Sequence, residues 1–144
     1  MGATGQTVHV IPAVRYRDAD KGIAWLKDVL GFQERAVYRD DKGTVAHAEL
    51  TLGNGMIMLG SVDAKSESLG WYKQPGDIGN AVTASIYVIV PDCAPVYERA
   101  KAAGSQVLME LRTMDYGGGS FTVRDPEGHV WSVGEYDPWA QPAA

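Results

Sequence analysis

The sequence contains one cysteine, Cys93, so no disulfide can form within the chain, and a reducing compartment is the expectation. It has no long apolar run either. "IYVIV" at 86–90 falls far short of the roughly 20 residues that a membrane helix needs. Basic residues are outnumbered, 13 against 18 acidic, and do not cluster. Nucleic-acid binding, which needs a basic face, is therefore not expected. The opening "MGATGQTVHV" has no charged-then-apolar secretory layout, and Gln6 stands where a myristoylation signal needs Ser or Thr. The default is a cytoplasmic protein without a membrane partner. No Ser or Cys sits in a nucleophile elbow. Cys93 falls near a helix start, where a thiolate is stabilised, but reads first as a small first-turn residue.

What is present is a unit of about 55 residues, used twice. "VHVIPAVRY" alternates as a strand with Val8, Val10, Val14 and Tyr16 on one face. Asp18 or Asp20 can cap "KGIAWLKDVLG", a helix with Ile23, Leu26, Val29 and Leu30 along one stripe and a left-handed stop at Gly31. "QERAVYRD", "VAHAELTL" and "MIMLGS" follow as strands. The second half repeats the order: strand "ASIYVIV", helix "APVYERAKAAG" after Asp92, then "QVLMELRT", "GSFTVRD" and "HVWSVGEY". Gly31 to Gly104 and Gly55 to Gly128 are both 73 residues, whereas Asp18 to Asp92 is 74. One residue was therefore gained or lost inside a helix. The reading is an α+β chain of two βαβββ modules, 8–61 and 83–137, joined by a polar loop at 62–82. Such a loop is a candidate lid or binding segment.

Face assignment follows from the turn at Gly53-Asn54-Gly55. A three-residue, bulged loop pairs Leu52 with Met56 and Leu50 with Met58. It sends Ala48, Leu50, Leu52, Met56 and Met58 under the helix and leaves His47, Glu49, Thr51, Ile57 and Leu59 opposite. Burying Glu49 among helix side chains would cost several kcal/mol, so this register is expected. The second copy sends Phe121, Val123, Trp131 and Val133 to its helix, with Ser120, Thr122, Arg124, Val130 and Ser132 opposite. The first strands add Ile11, Ala13 and Arg15, then Ser85, Tyr87 and Ile89, to the open faces. A face mixing charge, hydroxyl and aliphatic groups suits a concave ligand pocket.

The stretches "VIPAVRYRDADKGIAWLKDVLGF", "HAELTLGNGMIMLG" and "FTVRDPEGHVWSVGEYDP" resemble the vicinal oxygen chelate superfamily. It holds glyoxalase I, extradiol dioxygenases, fosfomycin-resistance enzymes and bleomycin-resistance proteins, and the nearest look-alikes include the group named after the phosphonate-cluster protein PhnB. The resemblance implies two βαβββ modules whose sheets curl around a cavity, usually in a homodimer. Metal-dependent members carry a ligand on the first and last strand of each module. By position these are Ile11, Leu59, Ser85 and Ser132, none of them a His, Glu, Gln or Asp. No cofactor and no metal is expected, because two hydroxyls and two aliphatic chains do not grip a divalent ion. His47 and Glu49, two apart on one strand, are the remaining metal-capable pair.

The expected activity is sequestration of a small organic molecule, as in bleomycin-resistance proteins. Arg15, Glu49, Thr51, Leu59, Trp71, Tyr72, Ser85, Tyr87, Tyr116, Arg124 and Ser132 are the expected ligand contacts. Trp25 and Trp131 read as core. The alternative is a lyase, isomerase or dioxygenase. It would use Glu49 as a base of raised pKa, with His47, Tyr87 or Arg15 stabilising negative charge, or a metal on non-standard ligands.

Overall fold

In the computed structural model, which describes residues 9–115 and 117–140, each half forms a four-stranded mixed sheet. The first module runs β1 (Ala13–Tyr16), α1 (Ala19–Trp25), β2 (Gln33–Arg39), β3 (Val45–Leu52) and β4 (Gly55–Ser61). The second runs β5 (Ile86–Ile89), α3 (Cys93–Ala102), β6 (Val107–Thr113), β7 (Gly119–Arg124) and β8 (Val130–Gly134). Sheet orders are β1-β4-β3-β2 and β5-β8-β7-β6, with the first and last strands of each module parallel neighbours. The connecting segment is partly ordered, with α2 (Ala64–Ser68) and a 3-10 turn at Pro75–Ile78.

The one-residue mismatch between the two helices has a visible home. Asp18 caps α1 by accepting from Lys21 N, and Asp92 caps α3 by accepting from Ala94 N. After Trp25 the first helix widens into a π-turn, Leu26–Leu30, and ends at Gly31 with φ 88°. A π-turn is how a helix absorbs one inserted residue without rotating its buried stripe away from the core. Ile23, Leu26, Val29 and Leu30 all stay inside.

The β3–β4 hairpin departs from the expected register. Leu52 pairs with Gly55, Leu50 with Ile57 and Glu49 with Met58. Gly53, at φ 57°, supplies the left-handed first position that a two-residue type II′ turn needs. Ile57 and Leu59 therefore join Ala48 and Leu50 under the helix, all nearly fully buried, while Met58 faces out beside Glu49. The argument from Glu49 fixed the face of β3 but could not fix β4, which is apolar on both sides. In the second copy Val123 pairs with Trp131, so its β7–β8 turn holds one residue more than the first, and last strands match at an offset of 74. Val10 is another correction. It lies before β1 and is 91% exposed, because pairing begins only at Ala13; Val8 lies outside the described residues.

The helix-side faces of both sheets merge into one core. Trp131 is fully buried, 6.4 Å from Trp25 and 6.2 Å from Phe32 between ring centroids. The turn "DPEGH" locks the modules together. Asp125, 5% exposed, accepts from Tyr16 Oη (2.6 Å), Trp131 Nε1 (3.1 Å) and the backbone N–H of Glu127 and His129. Glu127 accepts from the backbone N–H of Arg17 and Asp18 and from Gln74 Nε2. His129 Nε2 meets the Arg15 carbonyl at 2.7 Å. The second module thus grips the β1–α1 corner of the first through three alternate polar side chains of one turn, Asp125, Glu127 and His129.

Cys93 takes the structural role. It is fully buried, its thiol directed at the carbonyls of Gly119 and Val133, and burial pushes its pKa up to about 11. The backbone N–H at that helix start is instead taken by Glu135, whose carboxyl is held below its usual range by the N–H groups of Cys93 and Gly119. The native protein should therefore resist a thiol-specific disulfide reagent at pH 8, and react at the rate of an ordinary thiol only after denaturation. Fast labelling of the folded chain would contradict this assignment.

Candidate functional site

Each sheet leaves one face uncovered, and each of those faces carries a concavity of ordinary ligand size. On the first, Ala13 and Arg15 from β1, His47 from β3 and Met58 and Gly60 from β4 combine with Trp71 and Tyr72 of the connecting segment around about 320 Å³. Tyr72 acts as a post: its hydroxyl accepts from Arg15 N at 3.2 Å, and the Arg15 guanidinium lies 5.5 Å from its ring centre. Trp71 packs edge-on against Tyr72 and is 73% exposed, an uncovered aromatic beside the concavity. Glu49 and Thr51 share the same face, outside that lining.

The charges of this face satisfy one another. Glu49 pairs with Arg35 at 2.6 Å and with His47 Nε2 at 3.0 Å, and Tyr38 stacks over His47. The hydrogen bond from His47, reinforced by Arg35, holds the Glu49 carboxyl below its ordinary value. This reverses the raised pKa expected for a general base. A carboxylate stabilised by an imidazole hydrogen bond and an arginine is a poor proton acceptor at neutral pH.

On the second face, Ser85 just before β5, Tyr87 of β5, Met109 and Arg112 of β6, Ser120 and Thr122 of β7 and Ser132 of β8 surround about 330 Å³. Thr122 and Ser132 are cross-strand partners with hydroxyls 2.9 Å apart. The Tyr87 hydroxyl donates to the Tyr136 carbonyl. Ser85, Tyr87 and Ser132 therefore fall together as the alternation of the strands implied.

Two expected contacts are placed differently. Leu59 borders the first concavity but is 2% exposed and packed in the core, and Met58 takes its expected place on the open face. Arg124 lies at the far end of β7, its guanidinium donating to the Gly128 carbonyl of the turn rather than reaching the concavity. Tyr116 lies outside the described residues. Sequence reasoning missed Arg112, because strict alternation from Met109 places it on the helix side. The β6–β7 pairing shifts between Met109 and Arg112, and the irregularity returns Arg112 to the face that Met109 shares.

The family model described as the glyoxalase/bleomycin resistance protein/dioxygenase superfamily matches residues 6–133, most of the chain. The chain belongs to this superfamily. An uncharacterised protein of Mycobacterium bovis is 30% identical over 93 residues, 65% of this chain, which spans 60% of that relative's length. Among solved structures, TioX from Micromonospora sp. ML1 is 27% identical with a TM-score of 0.67, covering 88% of this chain and 94% of its own. Two others share the fold. The Listeria monocytogenes fosfomycin resistance protein FosX has 14% identity, TM-score 0.69 and coverage of 93% and 97%. The bleomycin resistance determinant of transposon Tn5 has 20% identity, TM-score 0.62 and coverage of 91% and 99%.

The superfamily's metal can be tested against the donors in place. With the register corrected, its four positions hold Ile11, Met58, Ser85 and Ser132, a thioether and two hydroxyls where a divalent ion needs imidazole or carboxylate. Among the described residues no three His, Cys, Asp or Glu side chains converge. His47 and Glu49 spend their donors on each other and on Arg35. The residues do not fit the ion. Also among the described residues, no helix is long and apolar enough to cross a membrane.

Proposed function

We propose that this superfamily member binds a small organic molecule on the open faces of its sheets and holds it without chemical change, drug sequestration being the reading favoured. Two copies of the chain would close the faces over the ligand as a homodimer. The observation that carries the reading is the donor set. The positions that grip a metal in catalytic relatives present aliphatic, thioether and hydroxyl groups, while exposed Trp71, half-exposed Tyr87 and Met109 offer stacking and burial. The lyase or isomerase alternative, with Glu49 and His47 as acid and base, is disfavoured by the ion pairing that lowers the Glu49 pKa. A metal-dependent dioxygenase is disfavoured by the same donor set.

Screening drug-like molecules by thermal shift, bleomycin included, should yield a stabilising compound that is recovered intact after prolonged incubation. Turnover that disappears in Glu49→Gln would overturn sequestration in favour of catalysis, and a stoichiometric ion whose removal abolishes binding would overturn the metal-free site. Trp71, if it covers bound ligand, should report on it. Ligand addition should quench or shift tryptophan emission by a few tens of per cent, and Trp71→Ala should abolish that change. An unaltered response in the variant would remove Trp71 from the site.

A further inference from the structure

The arginines of the chain are almost all engaged. Arg17 pairs with Glu67 and Asp77, Arg35 with Glu49 and Arg39 with Asp20, while Arg99 and Arg124 donate to backbone carbonyls of Val29 and Gly128. Arg15 lies over the Tyr72 ring. Arg112 differs from all of them: among the described residues its guanidinium has no hydrogen bond, ion pair or ring contact. Arg15, Arg99 and Arg124 also lack a carboxylate, but each has a ring or a carbonyl in its place, which Arg112 has not among the described residues. Glu110, on the same strand, is not among the residues that line this concavity.

The surroundings of Arg112 are equally one-sided. Among the described residues, no carboxylate lines the second concavity. Ser120 is the cross-strand partner of Arg112, and Thr122 with Ser132 lies on the next rung. Each hydroxyl carries a single hydrogen, so the bond between Thr122 and Ser132 uses one and leaves the other to be donated outward. The hydroxyls of Ser85 and Ser120 make no side-chain hydrogen bond among the described residues. The Tyr87 ring lies against Gly134, where a β-carbon would fall 2.7 Å from Cε1, and so stays low on the sheet. Met109 and Met114 add apolar, polarisable surface to the same lining. Hydrogen-bond donors and a positive charge thus converge on a hollow that has apolar flanks and no negative charge.

We propose that the second-sheet face is an oxyanion subsite that takes an organic acid. Arg112 forms the charge-assisted, fork-like contact to a carboxylate, sulfonate or phosphate group. The free hydroxyl hydrogens of Ser120 and the Thr122–Ser132 pair complete its coordination, and the apolar body of the ligand lies on Met109, Met114 and the Tyr87 ring. This rests on the small-molecule reading above and narrows it to anionic ligands, against the overall acidity of the chain.

The test uses the full-length protein and matched naphthalene probes. The sulfonate dye 1-anilinonaphthalene-8-sulfonate reports occupancy by fluorescence, and its uncharged counterpart N-phenyl-1-naphthylamine reports apolar binding alone. Competition then compares 1-naphthoate with 1-naphthamide, which differ in the charge of one group, and inorganic phosphate serves as an oxyanion without a body. The wild type should prefer naphthoate over naphthamide about tenfold or more, a preference that shrinks as salt rises. Arg112→Gln should erase that preference while leaving N-phenyl-1-naphthylamine binding in place, and Arg112→Lys should keep part of it. Arg112 is exposed and unpaired, so these variants should fold, as circular dichroism would check. If Arg112→Gln does not fold, the wild-type preference and the lysine variant decide. Equal affinity for acid and amide, or an anion preference unchanged in Arg112→Gln, would overturn the oxyanion subsite while leaving small-molecule binding standing. Failure of every probe, charged and uncharged, on folded protein would overturn both.

Discussion

Asp125→Ala should lower the free energy of unfolding by about 3–5 kcal/mol, the loss expected when one member of a buried, charged hydrogen-bond network is removed. Four donors converge on this carboxylate: the Tyr16 hydroxyl, the Trp131 indole and two backbone amides of its own turn. Truncation strands all four. Tyr16 and Trp131 are fully buried, so water cannot easily replace the lost acceptor. Urea denaturation followed by far-ultraviolet circular dichroism would measure the effect, with a fall in Tm of roughly 10 °C or more. A change below about 1 kcal/mol would mean that the turn does not lock the modules. The partner group adds a pH signature. Burial, followed by the neighbouring Asp125 carboxylate, raises the Tyr16 pKa well above the ordinary phenol value. Tyr16 is neutral in the folded protein at a pH where the unfolded chain already ionises. Its contribution to stability is therefore complete below about pH 10 and declines as pH rises beyond it. Tyr16→Phe should flatten that alkaline decline, and a double-mutant cycle with Asp125→Ala should show strong coupling.

Gly22→Ala should destabilise the protein by roughly 1–3 kcal/mol, opposite in sign to the usual gain when alanine replaces glycine inside a helix. Gly22 sits in α1 and is itself buried. A β-carbon there would fall 2.7 to 3.0 Å from Cδ1, Cγ and Cε1 of the Tyr16 ring. Tyr16 cannot retreat, because its hydroxyl is anchored 2.6 Å from Asp125 and its ring packs edge-on against His129. The helix forgoes propensity at this one position so that β1 can press its tyrosine against it. Thermal melts of Gly22→Ala alone and combined with Tyr16→Ala would separate the causes. If the glycine is there for the ring, the alanine penalty should shrink once the ring is gone.

The two predictions bear on the site, because both concern the corner that holds β1 and β8 in place. Arg15, one residue before Tyr16, projects onto the first open face, while Ser132, one residue after Trp131, projects onto the second. Alternation along a strand converts a rigid core residue into a fixed pocket residue on the other side. Loosening the Asp125 lock should therefore weaken ligand binding on both faces, without any contact between Asp125 and the ligand.

The sequence by itself determined the duplication, a cap at Asp18 or Asp20 and another at Asp92, a one-residue difference between the two helices, and the burial of Trp25 and Trp131; the structure chose Asp18 and placed the extra residue in the first helix. The features read from sequence depend on local chemistry and on periods of 3.6 and 2, which a chain displays whether or not it is folded. At the positions that the resemblance matches to metal ligands, the sequence places Ile11, Leu59, Ser85 and Ser132, none of them a His, Glu, Gln or Asp. Only the tertiary structure decided which face of β4 looks outward. Ile57, Met58 and Leu59 are all apolar, and the choice belonged to a turn one residue shorter than its counterpart. The same holds for Arg112, returned to the open face by an irregularity in strand pairing, and for Glu49, whose hydrogen bonds to His47 and Arg35 lower the pKa that burial would have raised. Charges and registers of this kind are set by neighbours distant in sequence, and pairwise distances appear only when the chain has closed on itself.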